Sequence, residues 1–147
     1  MSELSVPRPV LRTFRVLAFS GQNKGDAAGM QMQMQMQMQM NLQQEIDLAL
    51  AVPIVAGAGL MLGVMIKLQA TAANPQDVTD VATFSGEYEA KFFYSSEVSE
   101  KSVAPLLEDN DYQYVLVAQA YPLAMTHFRR ELQAMGLDAR ELPLGLA

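Results

Sequence analysis

Hydrophobic positions fall along this chain in three distinct patterns. The longest is an unbroken apolar run over residues 48–66, nineteen positions with no charged or hydrogen-bonding side chain. A helix of that length is about 28 Å long, close to the roughly 30 Å of a bilayer's hydrocarbon core. Asp47 and Lys67 bracket the run, so the pattern predicts a single transmembrane helix.

Three other readings compete: a buried core helix, a secretory signal ahead of Ala70-Thr71-Ala72, and a re-entrant hairpin broken at Pro53 or at Gly57-Ala58-Gly59. A core helix in a small domain normally shows a polar stripe. A secretory signal has basic residues before a shorter run, where this chain has Glu45 and Asp47. Within the span, Gly59 and Gly63 form a G-x-x-x-G pattern, with Ala56 and Gly57 one turn earlier. Small residues at this spacing let a second helix approach closely, so Ala56, Gly57, Gly59 and Gly63 are the expected helix-packing residues.

The second pattern is strict alternation of Met and Gln over 30–40, continuing into a polar lead up to residue 47. Met and Gln favour helix over strand, and Gln runs tend toward disorder. Thioether clusters suit Cu(I) when His or Cys accompanies them, and neither does here. Each Met of the repeat is also a possible start codon, and a start at Met40 would leave residues 1–29 untranslated. On either start, 1–29 is expected to be a disordered tail, although 6–20 resembles an amphipathic transit peptide.

After a spacer at 67–73, the third pattern is that of a small domain over 74–147. Asn74-Pro75 with Asp77 is a helix start, with Val78, Val81 and Ala82 at helical spacing and Gly86 as its stop. Residues 87–94 alternate, placing Tyr88, Ala90, Phe92 and Tyr94 on one face and Glu87, Glu89 and Lys91 on the other, which predicts a half-buried strand. A polar stretch over 95–108 allows only a short helix because of Pro105, and residues 108–111 read as a turn. Residues 112–121 read as a central strand, apolar on both faces through Val115-Leu116-Val117-Ala118. Pro122 then opens a helix with Ala124, Phe128, Leu132 and Met135, Gly136 ends it, and 137–144 returns as a strand. The order α-β-α-β-α-β predicts one sheet with helices packed on a face.

Over about thirty residues, 114–144, the strand-helix-Gly-strand order with Phe128, Leu132, Gly136 and Ala139 resembles half of a SPOR domain, a peptidoglycan-binding module. The glycine-aromatic signature after that family's strand is replaced here by Ala118-Gln119-Ala120-Tyr121-Pro122, and no second half follows. No functional residue carries over.

Composition adds exclusions. Half of the 147 residues are hydrophobic, but six of the eleven Met belong to the repeat and there is no Trp. The absence of Cys removes thiol chemistry and Cys-based metal sites. A net charge of −6 argues against nucleic acid as a partner, since that needs a concentrated basic face. The acidity sits in 68–147, where five Lys and Arg face twelve Asp and Glu.

Candidate chemistry is sparse. His127, the one His, stands beside Arg129 and Arg130 on a helix, and such a His reads as a surface residue. Ser95, His127 and Asp109 form a triad only on paper. Glu108, Asp109 and Asp111 lack the Gly and distant Glu of a calcium loop. Hence no enzyme activity, catalytic residue, metal or cofactor is expected.

The sequence therefore predicts a single-pass membrane protein whose C-terminal domain lies outside the cytoplasm. Its expected role is structural, as an accessory subunit of a membrane complex. The bilayer and a membrane protein, or a second copy held through the Gly-lined helix, are its expected partners. The alternative is a bitopic cell-envelope protein that binds a wall polymer or another protein.

Overall fold

The computed structural model describes residues 6–24, 39–53, 58–73, 80–137, 139 and 142. Four strands, β1 (Val10–Asn23), β2 (Gln39–Ala51), β3 (Met61–Ala73) and β4 (Asp80–Phe93), form one antiparallel sheet in the order β1-β4-β3-β2. Two consecutive hairpins join β2, β3 and β4, and β1 lies beside β4, which is a Greek-key arrangement. Because every neighbouring pair is antiparallel, β1 ends and β2 begins at the same end of the sheet, on opposite edges. Most of the Met-Gln repeat, which falls between these two strands, lies outside the described residues, with Met40 already in β2.

The described part of the apolar run over 48–66 is not a helix. Its first residues end β2 at Ala51, its last begin β3 at Met61, and Pro53 and Gly59 lie outside both strands. No helix among the described residues is long and apolar enough to cross a membrane. Side chains alternate across the sheet: Leu48, Leu50, Leu62, Val64 and Ile66 point toward the core, and Ala49, Ala51, Met61, Gly63 and Met65 point away. The period of two is hidden in the sequence because the outward set is itself apolar, built of small residues and Met. Gly59 stands just ahead of β3, where a Cβ would lie 2.2 Å from the Tyr94 carbonyl oxygen, so only glycine lets the chain come this close. There the Tyr94 amide donates to the Leu60 carbonyl at 2.9 Å, extending the β3–β4 pairing.

The expected disordered tail is likewise corrected. Residues 10–23 are a full-length strand paired with β4 from Val10↔Phe93 to Asn23↔Ala82. A chain starting at Met40 would lack it.

One layer of helix covers one face of the sheet. A short α1 (Glu100–Val103) and a 3-10 turn (Leu106–Glu108) lead into α2, Asn110–Ala134, of 25 residues. The expected central strand over 112–121 is thus the first half of α2. The Asp109 carboxylate accepts from the Asp111 amide at 3.0 Å and caps it. The residues buried after it, Tyr112, Leu116, Val117, Ala120, Tyr121, Ala124, Met125, Phe128 and Leu132, follow helical spacing.

Pro122 lies inside the helix. The hydrogen bond it removes belongs to the carbonyl of Ala118, and both residues are half-exposed. Gly136, at φ 90°, ends the element. The strand read over 87–94 falls in β4 with the faces described above. Gly86, read as a helix stop, sits within that strand. The helix start at 74–77 lies outside the described residues. Of the last strand, Leu137, Ala139 and Leu142 are described, and none is in a strand.

The architecture is therefore an antiparallel sheet with one long helix. It is neither an anchored α-β-α-β-α-β domain nor the strand-helix-strand of a SPOR half-domain. The core lies between α2 and the inward faces of β3 and β4, where Leu62, Val64, Ile66, Leu68, Tyr88, Phe92 and Phe128 are fully buried.

Candidate functional site

The two edges of the sheet are built differently. Along β1 the register with β4 shifts between Leu11 and Thr13 and again between Val16 and Ala18, so β1 carries two bulges. Bulges and cations protect an edge from further strand pairing. Arg12 lies over the Phe93 ring at 5.4 Å, and Arg15 Nε is 2.8 Å from Glu89 Oε1. Beneath this edge, α2 and β1 share an aromatic cluster. Phe19 packs edge-on against Phe128 and His127, and Phe14 stacks on Tyr88 at 5.9 Å. His127 Nδ1 is 2.9 Å from the Tyr88 hydroxyl. Ahead of β1, the Tyr112 hydroxyl donates to the Pro7 carbonyl at 2.5 Å and accepts from the Tyr94 hydroxyl at 2.7 Å.

The β2 edge has none of these devices. Its pairing with β3 runs without a bulge through thirteen pairs, from Gln39↔Ala73 to Ala51↔Met61, and its sequence contains no Lys, Arg or Pro. Among the described residues, its outer backbone groups face no other strand. The helix packs over β1, β4 and β3, so the core-side face of β2 is only partly covered. Leu42, Ile46, Leu48 and Leu50 are half-buried there against the core.

One polar residue interrupts that apolar row. Gln44 faces the helix, and the Tyr121 hydroxyl donates to its Oε1 at 2.6 Å. Tyr121 is 1% exposed, and burial pushes its hydroxyl above the ordinary phenol range. Ala118 and Tyr114, three and seven residues earlier, lie on the same side of the helix. The result is a half-open apolar shelf beside an unpaired strand edge. It can bury apolar side chains and accept backbone hydrogen bonds, a combination suited to an extended chain.

The opposite face of the sheet is open and graded. Two cross-sheet rows at the end where β1 stops and β2 begins, Gln43-Gln69-Ser85-Ser20 and Asn41-Thr71-Thr83-Gln22, are wholly neutral and polar. They line a hollow of about 510 Å³. The next row brings Glu45, Lys67 and Glu87 together. At this end the face offers water-satisfied side chains and mixed charge, whereas toward Pro53 Ala49, Ala51, Met61 and Met65 make it apolar.

The residues singled out in the sequence do not converge. Ala56 and Gly57 lie outside the described residues. Gly59 is just ahead of β3 and Gly63 is on the open face of β3, so they do not line a helix. Asp109 is a helix cap, and His127 lies about 27 Å further along the helix axis, between Tyr88 and Glu131. No group of three potential metal-ligating side chains is found among the described residues. Arg129 donates to the Ala139 carbonyl at 3.1 Å, a structural contact. The residues that matter on the shelf, Gln44 and Tyr121, were missed. Their signal is the lone Gln among the apolar positions 40, 42, 46, 48 and 50, and it is legible only once β2 is known to be a strand.

With the anchor gone, the expectations built on it are overturned. These are the accessory membrane subunit, the bitopic envelope protein, the bilayer and membrane-helix partners, and the single-pass location. No protein-family model matches the sequence, and no curated protein sequence matches it. Among solved structures, the chain is similar to a Mycobacterium tuberculosis SecB-like chaperone in complex with a ChAD peptide from the HigA1 antitoxin. The two are 22% identical with a TM-score of 0.60, over 95% of this chain and 89% of that one, so the likeness is one of fold.

Proposed function

We propose that this protein binds extended, partly apolar polypeptide segments along β2, in the manner of a chaperone that holds a client without processing it. The observation that carries this reading is the pairing of an unbulged, cation-free edge with an apolar shelf the helix leaves half-covered. An extended segment added to β2 would gain main-chain hydrogen bonds at the edge, and every second side chain would settle on Leu42, Ile46, Leu48 or Leu50. Fully burying one such aliphatic side chain is worth about 1.5–3 kcal/mol, so a few contacts of this kind give useful affinity. The peptide held by the structurally similar SecB-like chaperone supports the same reading. The role is binding and involves no chemical step.

The test is titration of a fluorescent, unstructured apolar peptide into the protein and into an Ile46→Ser/Leu48→Ser variant. Binding that weakens at least tenfold in the variant, with the fold retained, is the expected result. Equal binding by both proteins refutes the assignment to β2.

A further inference from the structure

The shelf is apolar except at Gln44, an exposed residue whose side chain is tied to the helix by one hydrogen bond. Tyr121, fixed in the core, donates its hydroxyl proton to Gln44 Oε1. The amide is thereby oriented with its two Nε2 hydrogens directed away from that bond, and they have no protein partner among the described residues. We propose, building on the β2 reading above, that Gln44 sets the register of the bound segment by requiring a hydrogen-bond-accepting side chain opposite it. A strand paired to β2 would place one inward side chain directly across from Gln44, with Cβ atoms about 4.5–5.5 Å apart. An Asn or Ser there satisfies the amide. A Val or Leu there strips water from two donors and returns nothing.

The neighbouring inward positions, Leu42 on one side and Ile46 on the other, make the opposite demand. A slip of two residues would put the client's polar side chain on an aliphatic one and its apolar side chain on the amide. Registers are otherwise weakly specified along a uniform apolar strand. The ligand class is therefore an extended segment with apolar residues at alternate positions and one uncharged acceptor among them. A single buried polar residue fixes the register of a helical coiled coil by the same physics.

The experiment compares two fluorescent eleven-residue peptides of alternating Val and Lys, identical except that the central inward residue is Asn or Val. For the wild-type protein, affinity for the Asn peptide is expected to exceed that for the Val peptide by on the order of tenfold. Gln44→Leu alone strands the Tyr121 hydroxyl, so Gln44→Leu/Tyr121→Phe serves as the second variant. In the double variant the preference should reverse, a change that a purely structural role for Gln44 would not produce. Equal affinity of the wild-type protein for both peptides, or a preference for Asn that survives the double substitution, overturns the register proposal and leaves the β2 reading standing. Failure of the wild-type protein to bind either peptide overturns both.

Discussion

The edge strands β1 and β2 carry similar lengths of chain into the same sheet, yet they meet their surroundings in opposite ways. β1 is bulged twice, guarded by Arg12 and Arg15, and lies over the aromatic cluster of Phe14, Phe19, Tyr88 and Phe128. β2 is regular, acidic at Glu45 and Asp47, and bordered by half-buried aliphatic side chains. The difference lies mostly in where α2 rests. A single helix cannot cover four strands, and this one packs over β1, β4 and β3, leaving β2 as the partly covered margin. An edge that a fold leaves unguarded is a hazard for aggregation unless it is used.

Substitutions on the two sides should separate stability from binding. The largest effect is expected on the covered side. Phe128→Ala empties a fully buried position and should cost about 3–5 kcal/mol, a large part of the roughly 5–15 kcal/mol available to a domain. Urea denaturation checks this. On the partly covered side, Ile46→Ser/Leu48→Ser together should cost about 1.5–3 kcal/mol, because both side chains are only partly buried in the folded chain. A loss as large as that of Phe128→Ala would mean that β2 belongs to the core and is not a docking margin.

Alkaline pH probes the covered side again. Burial raises the hydroxyls of Tyr88, Tyr94 and Tyr121 above the ordinary 10.0. Glu131 adds to this for Tyr88, and the hydrogen bond to Tyr112 adds to it for Tyr94. With the folded values raised, their stabilising effect is complete below pH 10. It is lost as the pH climbs above 10 toward the folded values. Denaturation midpoints that hold steady above pH 10 would contradict the burial of these hydroxyls.

Two smaller effects complete the series. Gly136→Ala places a Cβ at φ 90° and should cost about 1 kcal/mol of thermal stability. Arg15→Ala removes an ion pair whose Arg side chain is 62% exposed, so the expected change is below about 0.5 kcal/mol.

How far the sequence disclosed this fold depends on the segment. β4 was legible over its second half because its two faces differ in polarity, Tyr88 and Phe92 against Glu87, Glu89 and Lys91. The second half of α2 was legible because Ala124, Phe128 and Leu132 recur at helical spacing above a terminal glycine. The β2–β3 hairpin was not. Ala49, Ala51, Met61, Gly63 and Met65 face outward but are apolar, so a strand-turn-strand carried the hydropathy of a spanning helix. Pro53 and Gly59 were the contrary signs, and they lie outside both strands. The first half of α2 misled in the other direction, because Val115 and Val117 are strand formers that tertiary packing overrode. β1 was passed over because its bulges break the alternation that would have revealed it. The candidate site was invisible for a related reason: Gln44 has meaning only beside Tyr121, 77 positions away.

The most direct test of the central claim is backbone amide hydrogen exchange, measured residue by residue with and without a saturating extended apolar peptide. The account predicts new protection at alternate amides of β2, those that point outward from the sheet edge, and no change along β1. Protection that appears on β1, or elsewhere in the sheet with β2 unaffected, would contradict it.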